Sequence, residues 1–149
     1  MYSRILIATD GSELAQRGLD QGLALAKAVG AAVVVVTASE PWTPMGVDAA
    51  GLAITEYSMA EEFEKAAKSR AQEILDAAAK SAADQGLTVD PVYASAQYPA
   101  DAIVETAADK GCDLIVMASH GRRGIERVIL GSQALQVLTH SPVPVLIVR

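Results

Sequence analysis

The chain has 149 residues, about half of them hydrophobic, and a formal net charge of −6. That length supports one domain with a sizeable core, and the acidic balance argues against a general nucleic-acid or anionic-membrane surface. Aromatic residues are scarce, with one Phe, one Trp and four Tyr, so Ala, Val, Leu and Ile must fill the interior.

RILIATD (4–10) reads as a short buried strand, and its apolar run is too brief for the hydrophobic region of a signal peptide. From Glu13 to Val29 the apolar positions Ala15, Leu19, Leu23, Ala26 and Val29 recur at helical spacing, and Gly30 ends the helix. AVVVVTAS (32–39) is β-branched on both faces, as in a parallel strand covered by helices on either side. The apolar run 31–38 is the longest in the chain and far short of a membrane span, so a soluble, cytoplasmic protein with no membrane partner is expected.

Residues 40–58 are the least regular stretch, with Pro41, Pro44, Gly46 and Gly51. A long helix follows, placing Met59, Phe63, Ala66, Ala67, Ile74, Leu75, Ala78 and Ala82 on one face and stopping at Gly86. LTVDPVYAS (87–95) reads as a third strand, at the sheet edge because of Pro91. Pro99 opens another helix, running to about Lys110. The single cysteine, Cys112, lies in an apolar setting, reads as a small buried hydrophobe and suits a reducing compartment. A strand over 114–119, a loop, a helix over 131–139 and a strand over 143–148 complete the chain. The alternation predicts one α/β domain, an open, mostly parallel five-stranded sheet with helices on both faces.

In such a sheet, ligands bind beyond the carboxyl ends of the strands, where the strand order reverses. Two segments there carry suitable chemistry: Ala8-Thr9-Asp10-Gly11-Ser12 and Ala118-Ser119-His120-Gly121. Gly131-Ser132 opens the next helix, whose first amides lack intrahelical partners and favour an anion. Arg122, Arg123 and Arg127 place three of the twelve basic residues within six positions of that loop. Each residue also has a plainer reading. Asp10-Gly11-Ser12 serves equally as a strand-to-helix turn and cap. Met117 suits a core, His120 a loop hydrogen bond, and the arginines a solvated face. The last strand is apolar on both faces with Pro144 at its start, and a flat hydrophobic edge of that kind invites pairing.

Walker A, GxGxxG and GxSxG patterns are all missing. What does occur is Gly121, nine intervening residues, then Gly131-Ser132, with Ala118 three residues before Gly121. With the opening ILIATDGSE, the stretch PADAIVETAADKGCDLIVMASHGRRG and the ending LGSQALQVLTHSPVPVLIVR, the chain resembles the universal stress protein family over residues 1–149. Its ATP-binding members carry G-x2-G-x9-G-[ST]. The resemblance implies a Rossmann-like, adenine-nucleotide alpha hydrolase-like sheet of strand order 3-2-1-4-5. It implies a site for ATP, with Mg carried on the phosphates. Ala8 and Thr9 would line the base, with Asp10 at the adenosine or the metal. Ala38 and Met117 would sandwich the adenine. Ala118, Ser119, His120 and Gly121, then Gly131, Ser132 and Gln133, would hold the ribose and phosphates. It further implies a homodimer through Val143, Val145 and Ile147, and a nucleotide-gated stress-response regulator acting on a protein partner.

Two positions depart from the family pattern. Ala118 stands where the first glycine belongs; if its φ were positive, the methyl would cost about 1–2 kcal/mol. Gln97-Tyr98 replaces the usual glycine and polar residue before Pro99, and Tyr98 is a poor helix cap. The alternative to a nucleotide-gated regulator is a dimeric interaction module without nucleotide, which Ala118→Gly would separate from it by gain of binding. Fast catalysis is not expected, because no positioned base, metal-ligand set and charge clamp come together. An ATP pyrophosphatase would need paired glycines after the first strand, which ATDGSE lacks.

Overall fold

The computed structural model describes residues 1–44, 53–121 and 130–149. Five strands, β1 (Arg4–Ala8), β2 (Ala32–Ala38), β3 (Val89–Ala94), β4 (Leu114–Ala118) and β5 (Val145–Val148), form one parallel sheet in the order β3-β2-β1-β4-β5. Four helices connect them: α1 (Glu13–Val29), α2 (Ala53–Asp84), α3 (Pro99–Asp109) and α4 (Ser132–His140). The open five-stranded α/β fold and the order 3-2-1-4-5 are as expected. Each strand is one to three residues shorter than its hydrophobic run, because the run continues into the connecting loop.

Both faces of the sheet are covered, which is why its central strands carry no polar alternation. Ile5, Ile7, Val33, Val35, Leu114 and Val116 pack against Leu19, Leu23 and Ala26 of α1 and Leu75, Ala78 and Ala82 of α2. Leu6, Ala8, Val34, Val36, Ile115 and Met117 pack against Ala100, Ile103 and Ala107 of α3 and Ala134 and Val137 of α4. Cys112 is buried in this second layer, and desolvation pushes its thiol above the usual cysteine range.

Helix α1 owes its close seat to Gly22 on its inner face, while Gly18 faces Ala118 at ordinary contact distance. A Cβ on Gly22 would come within 2.6 Å of Ile7 Cδ1, and one on Gly18 would sit 3.4 Å from the Ala118 main-chain nitrogen. The helix therefore lies flush on β1 and β4. Ser12 caps it, accepting the Ala15 N–H at 3.2 Å, and Gly30 closes it at φ 71°.

Helix α2 departs from expectation. Its inner stripe is buried only from Ala71 through Leu75, Ala78 and Ala82. Met59 and Phe63, placed on the core face by their spacing, are 54% and 42% exposed, and Ala66 is exposed as well. The period of a helix stays apolar here past the point where the sheet beneath it stops.

At the amino ends of the strands, Asp113 ties the chain together. It accepts the Ser3 hydroxyl at 2.6 Å, the Ser3 N–H at 2.7 Å and the Arg4 N–H at 3.0 Å. Those hydrogen bonds hold its carboxyl down to about 2. β3 is an edge strand, as Pro91 requires, and β5 is the opposite edge.

Candidate functional site

The strand order reverses between β1 and β4, and both expected segments lie there. Beyond Ala8, the Thr9 N–H continues the ladder to Val36 O at 3.0 Å, after which the chain turns into α1. Asp10 Oδ1 accepts the Ser12 N–H at 2.9 Å and Thr9 Oγ1 accepts the Gly11 N–H at 3.2 Å. The turn-and-cap reading of Asp10-Gly11-Ser12 is thus realised, and Asp10 still faces the second segment. A Cβ on Gly121 would stand 2.9 Å from Asp10 Oδ2, so a side chain there would require the carboxylate to move.

Ala118 ends β4 as an ordinary strand residue, paired with Val148 and 7% exposed. Among the described residues, Ala96 is the only non-glycine with positive φ. Ala118 therefore carries no left-handed strain. Strand alternation puts its methyl opposite Met117, toward α1, while Met117 and Ala8 share the α3/α4 layer and Ala38 packs against that layer. Ser119 is 3% exposed; its N–H reaches Val148 O at 2.8 Å and its hydroxyl meets His120 Nδ1 at 2.9 Å.

Gly131 brings α4 onto this segment. Its N–H donates to Ser119 O at 2.9 Å, and a Cβ would sit 3.0 Å from that same oxygen. As N-cap of α4 it offers no side chain, so the amides of Ser132 and Gln133 open the helix without a side-chain cap. The Gln133 carboxamide points elsewhere: its oxygen accepts the Ala100 N–H of α3 at 2.9 Å. Of the residues expected to meet phosphate, Gln133 can do so here through its main chain.

On β2, Ser39 N–H bonds Ala94 O at 3.0 Å, so the alternating ladder turns the main chain of Ala38 the other way, toward β1. β1 has ended at Ala8, level with Val36. The Ala38 amide and carbonyl thus lie beside the space above Thr9 and Asp10. Arg122, Arg123, Gly124 and Arg127, and residues 45–52 of the irregular stretch, lie outside the described residues.

Sequence reasoning missed three neighbours of the cleft. Gly18 of α1 lies against the Ala118 main chain, and its spacing of four from Gly22 was the available signal. Ser39 Oγ pairs with Tyr93 Oη at 2.8 Å, a contact across strands that no local pattern marks. Ala96 holds φ 53° in the turn before α3. Among the described residues, no group of three or more His, Cys, Asp and Glu is arranged for a metal, and no helix is long and apolar enough to cross a membrane.

These features define an open parallel α/β protein with two close-packed glycines and a helix start lacking a side-chain cap at its topological switch point. A sequence profile described as the Universal stress protein family matches residues 1–149. A universal stress protein of Thermus aquaticus is 34% identical over 149 residues, spanning all of both chains. The solved structure of MJ0577, a universal stress protein of Methanocaldococcus jannaschii, superposes with a TM-score of 0.81 at 26% identity, covering 99% of this chain and 96% of that one. A universal stress protein in complex with cAMP superposes at 0.71 with 30% identity, covering 99% of this chain and 97% of the other. The chain belongs to the universal stress protein family.

Proposed function

We propose that this protein binds an adenine nucleotide, ATP with Mg, between the ends of β1 and β4 and acts as a nucleotide-gated regulator. The observation that carries the reading is the glycine cradle. Gly121 lies against the Asp10 carboxylate and Gly131 against Ser119 O, so the two glycines let the loop and the start of α4 close tightly on the ends of β1 and β4. The uncapped first turn of α4 suits phosphate. Ala38, with its main chain turned toward β1, suits the edge of a base, and Met117 and Ala8 supply the apolar layer below. The relative solved with cAMP supports the ligand class.

Magnesium would be held mainly by phosphate oxygens and water, with the Asp10 carboxylate and the Ser132 hydroxyl as the protein oxygens available to it. Bound there, it would neutralise phosphate charge. Asp10 orients the β1–α1 turn through Ser12, and Gly121 keeps the loop backbone against it. Fast turnover is not proposed, since among the described residues Asp10 is the one carboxylate beside Gly121. The regulator is read as a cytoplasmic homodimer, paired through the β5 edge at Val143, Val145 and Ile147, whose partner protein senses the nucleotide-bound form. The half-buried side chains of Val145 and Ile147 on that edge support the pairing.

Calorimetric titration of nucleotide-stripped protein with Mg-ATP, ADP and cAMP tests the reading. One saturable site per chain, tightest for Mg-ATP, is expected. No heat from any of the three at about millimolar concentration, with the protein folded, would sink it in favour of the interaction module.

A further inference from the structure

The expected phosphate residue Gln133 has its side chain committed to another helix. Its carboxamide oxygen accepts the N–H of Ala100, the second residue of α3. That amide is one of the orphan donors at a helix start. The N-cap of α3 is Tyr98, which makes no side-chain cap hydrogen bond and is 51% exposed. Gln133 therefore provides, from α4, the cap that α3 lacks in its own sequence.

The hydrogen bond completes a strap across the back of the cleft. At one end, Ser39 beyond β2 accepts the Gln97 N–H on its carbonyl at 2.9 Å and the Ala96 N–H on its hydroxyl at 3.4 Å. The chain then passes through Tyr98 and Pro99 to Ala100, which is held by Gln133. Helix α4 needs the hold. It has 9 residues and buries only Ala134 and Val137, so it has little intrinsic stability. Among the described residues, the Gly131 N–H on Ser119 O is its other hydrogen-bonded anchor at this end.

We infer that Gln133 is a positioning residue. By capping α3 in place of Tyr98, it pins the first turn of α4 where its main-chain amides meet the anionic end of the nucleotide. This rests on the nucleotide reading above and adds to it, because the same strap begins at the β2 end that faces the base. Ligand contacts at the two ends of the cleft are held in fixed relation by one hydrogen-bonded path.

The test compares wild type, Gln133→Ala, Tyr98→Asp and the double variant by Mg-ATP titration and by amide hydrogen exchange of both helix starts. Aspartate at position 98 caps α3 from its own chain without touching α4. In Gln133→Ala, affinity should fall about fivefold, the worth of one ordinary hydrogen bond, and amides of both first turns should exchange faster. Adding Tyr98→Asp should restore protection to α3 alone, leaving affinity and α4 exchange impaired. Full recovery of affinity in the double variant, or unchanged affinity and α4 exchange in Gln133→Ala, would overturn the assignment. If wild type takes up no nucleotide, the nucleotide reading falls by itself and α4 exchange decides. Acceleration on losing Gln133 then upholds the clasp, and no change overturns it.

Discussion

Ala96 is held at φ 53°, in the left-handed region that an alanine methyl disfavours. The turn stays there because its neighbours fix it: the Ala96 and Gln97 amides both bond Ser39. Ala96→Gly should therefore stabilise the protein by about 1 kcal/mol in urea denaturation, since glycine relieves the strain. A loss of stability on that change would show that the residue is not strained. Ala118 is the contrasting case. It replaces a family glycine yet sits in regular strand geometry, so its identity alone could not reveal whether it was costly. Sequence reads backbone strain well where glycine marks it, as at Gly30, and poorly where another residue occupies the conformation. Gln133 escaped for a related reason: its partner Ala100 lies 33 residues away, and nothing local to either residue records the contact.

Among the elements, strands and short helices were legible because their periodicity and their burial coincide. Helix α2 separates the two. Its apolar stripe runs unbroken from Met59 to Ala82, but only the half beginning at Ala71 meets the sheet. A hydrophobic period reports which residues share a helix face and does not report how far the opposite surface extends. The two halves should respond differently to truncation. Leu75→Ala, at 5% exposure, should cost about 2–5 kcal/mol in chemical denaturation. Phe63→Ala, at 42% exposure, should cost about 1 kcal/mol or less. Equal losses at the two positions would mean that the first half of α2 is packed in solution.

For the whole molecule, the two sheet edges differ in kind. β3 carries Pro91 and polar residues such as Asp90, whose carboxylate pairs with Lys110 at 2.8 Å. β5 presents Leu146, 38% exposed, and helix α4 beside it leaves Leu135 and Leu138 exposed at 56% and 42%. Such an edge favours a partner strand, and the proposed homodimer uses it. Val145→Lys should convert a dimer mass to a monomer mass in light scattering, with the circular dichroism of the fold retained. A folded variant of unchanged mass would remove β5 from the interface. The edge character of β5 was readable from Pro144 and the apolar run. The neighbouring leucines of α4 were not, because their exposure depends on which helix face the sheet claims.

The flush seating of α1 has a consequence for how such a protein changes over generations. Gly22 lies beneath the middle of the sheet, against Ile7 and Val116, yet it sets the depth at which the helix rests and so where Ser12 and Asp10 stand relative to Gly121. A lineage could retune or silence the cleft by drift at this one buried position while every residue lining it stayed the same. Inspection of the lining alone would then class a silent descendant as competent.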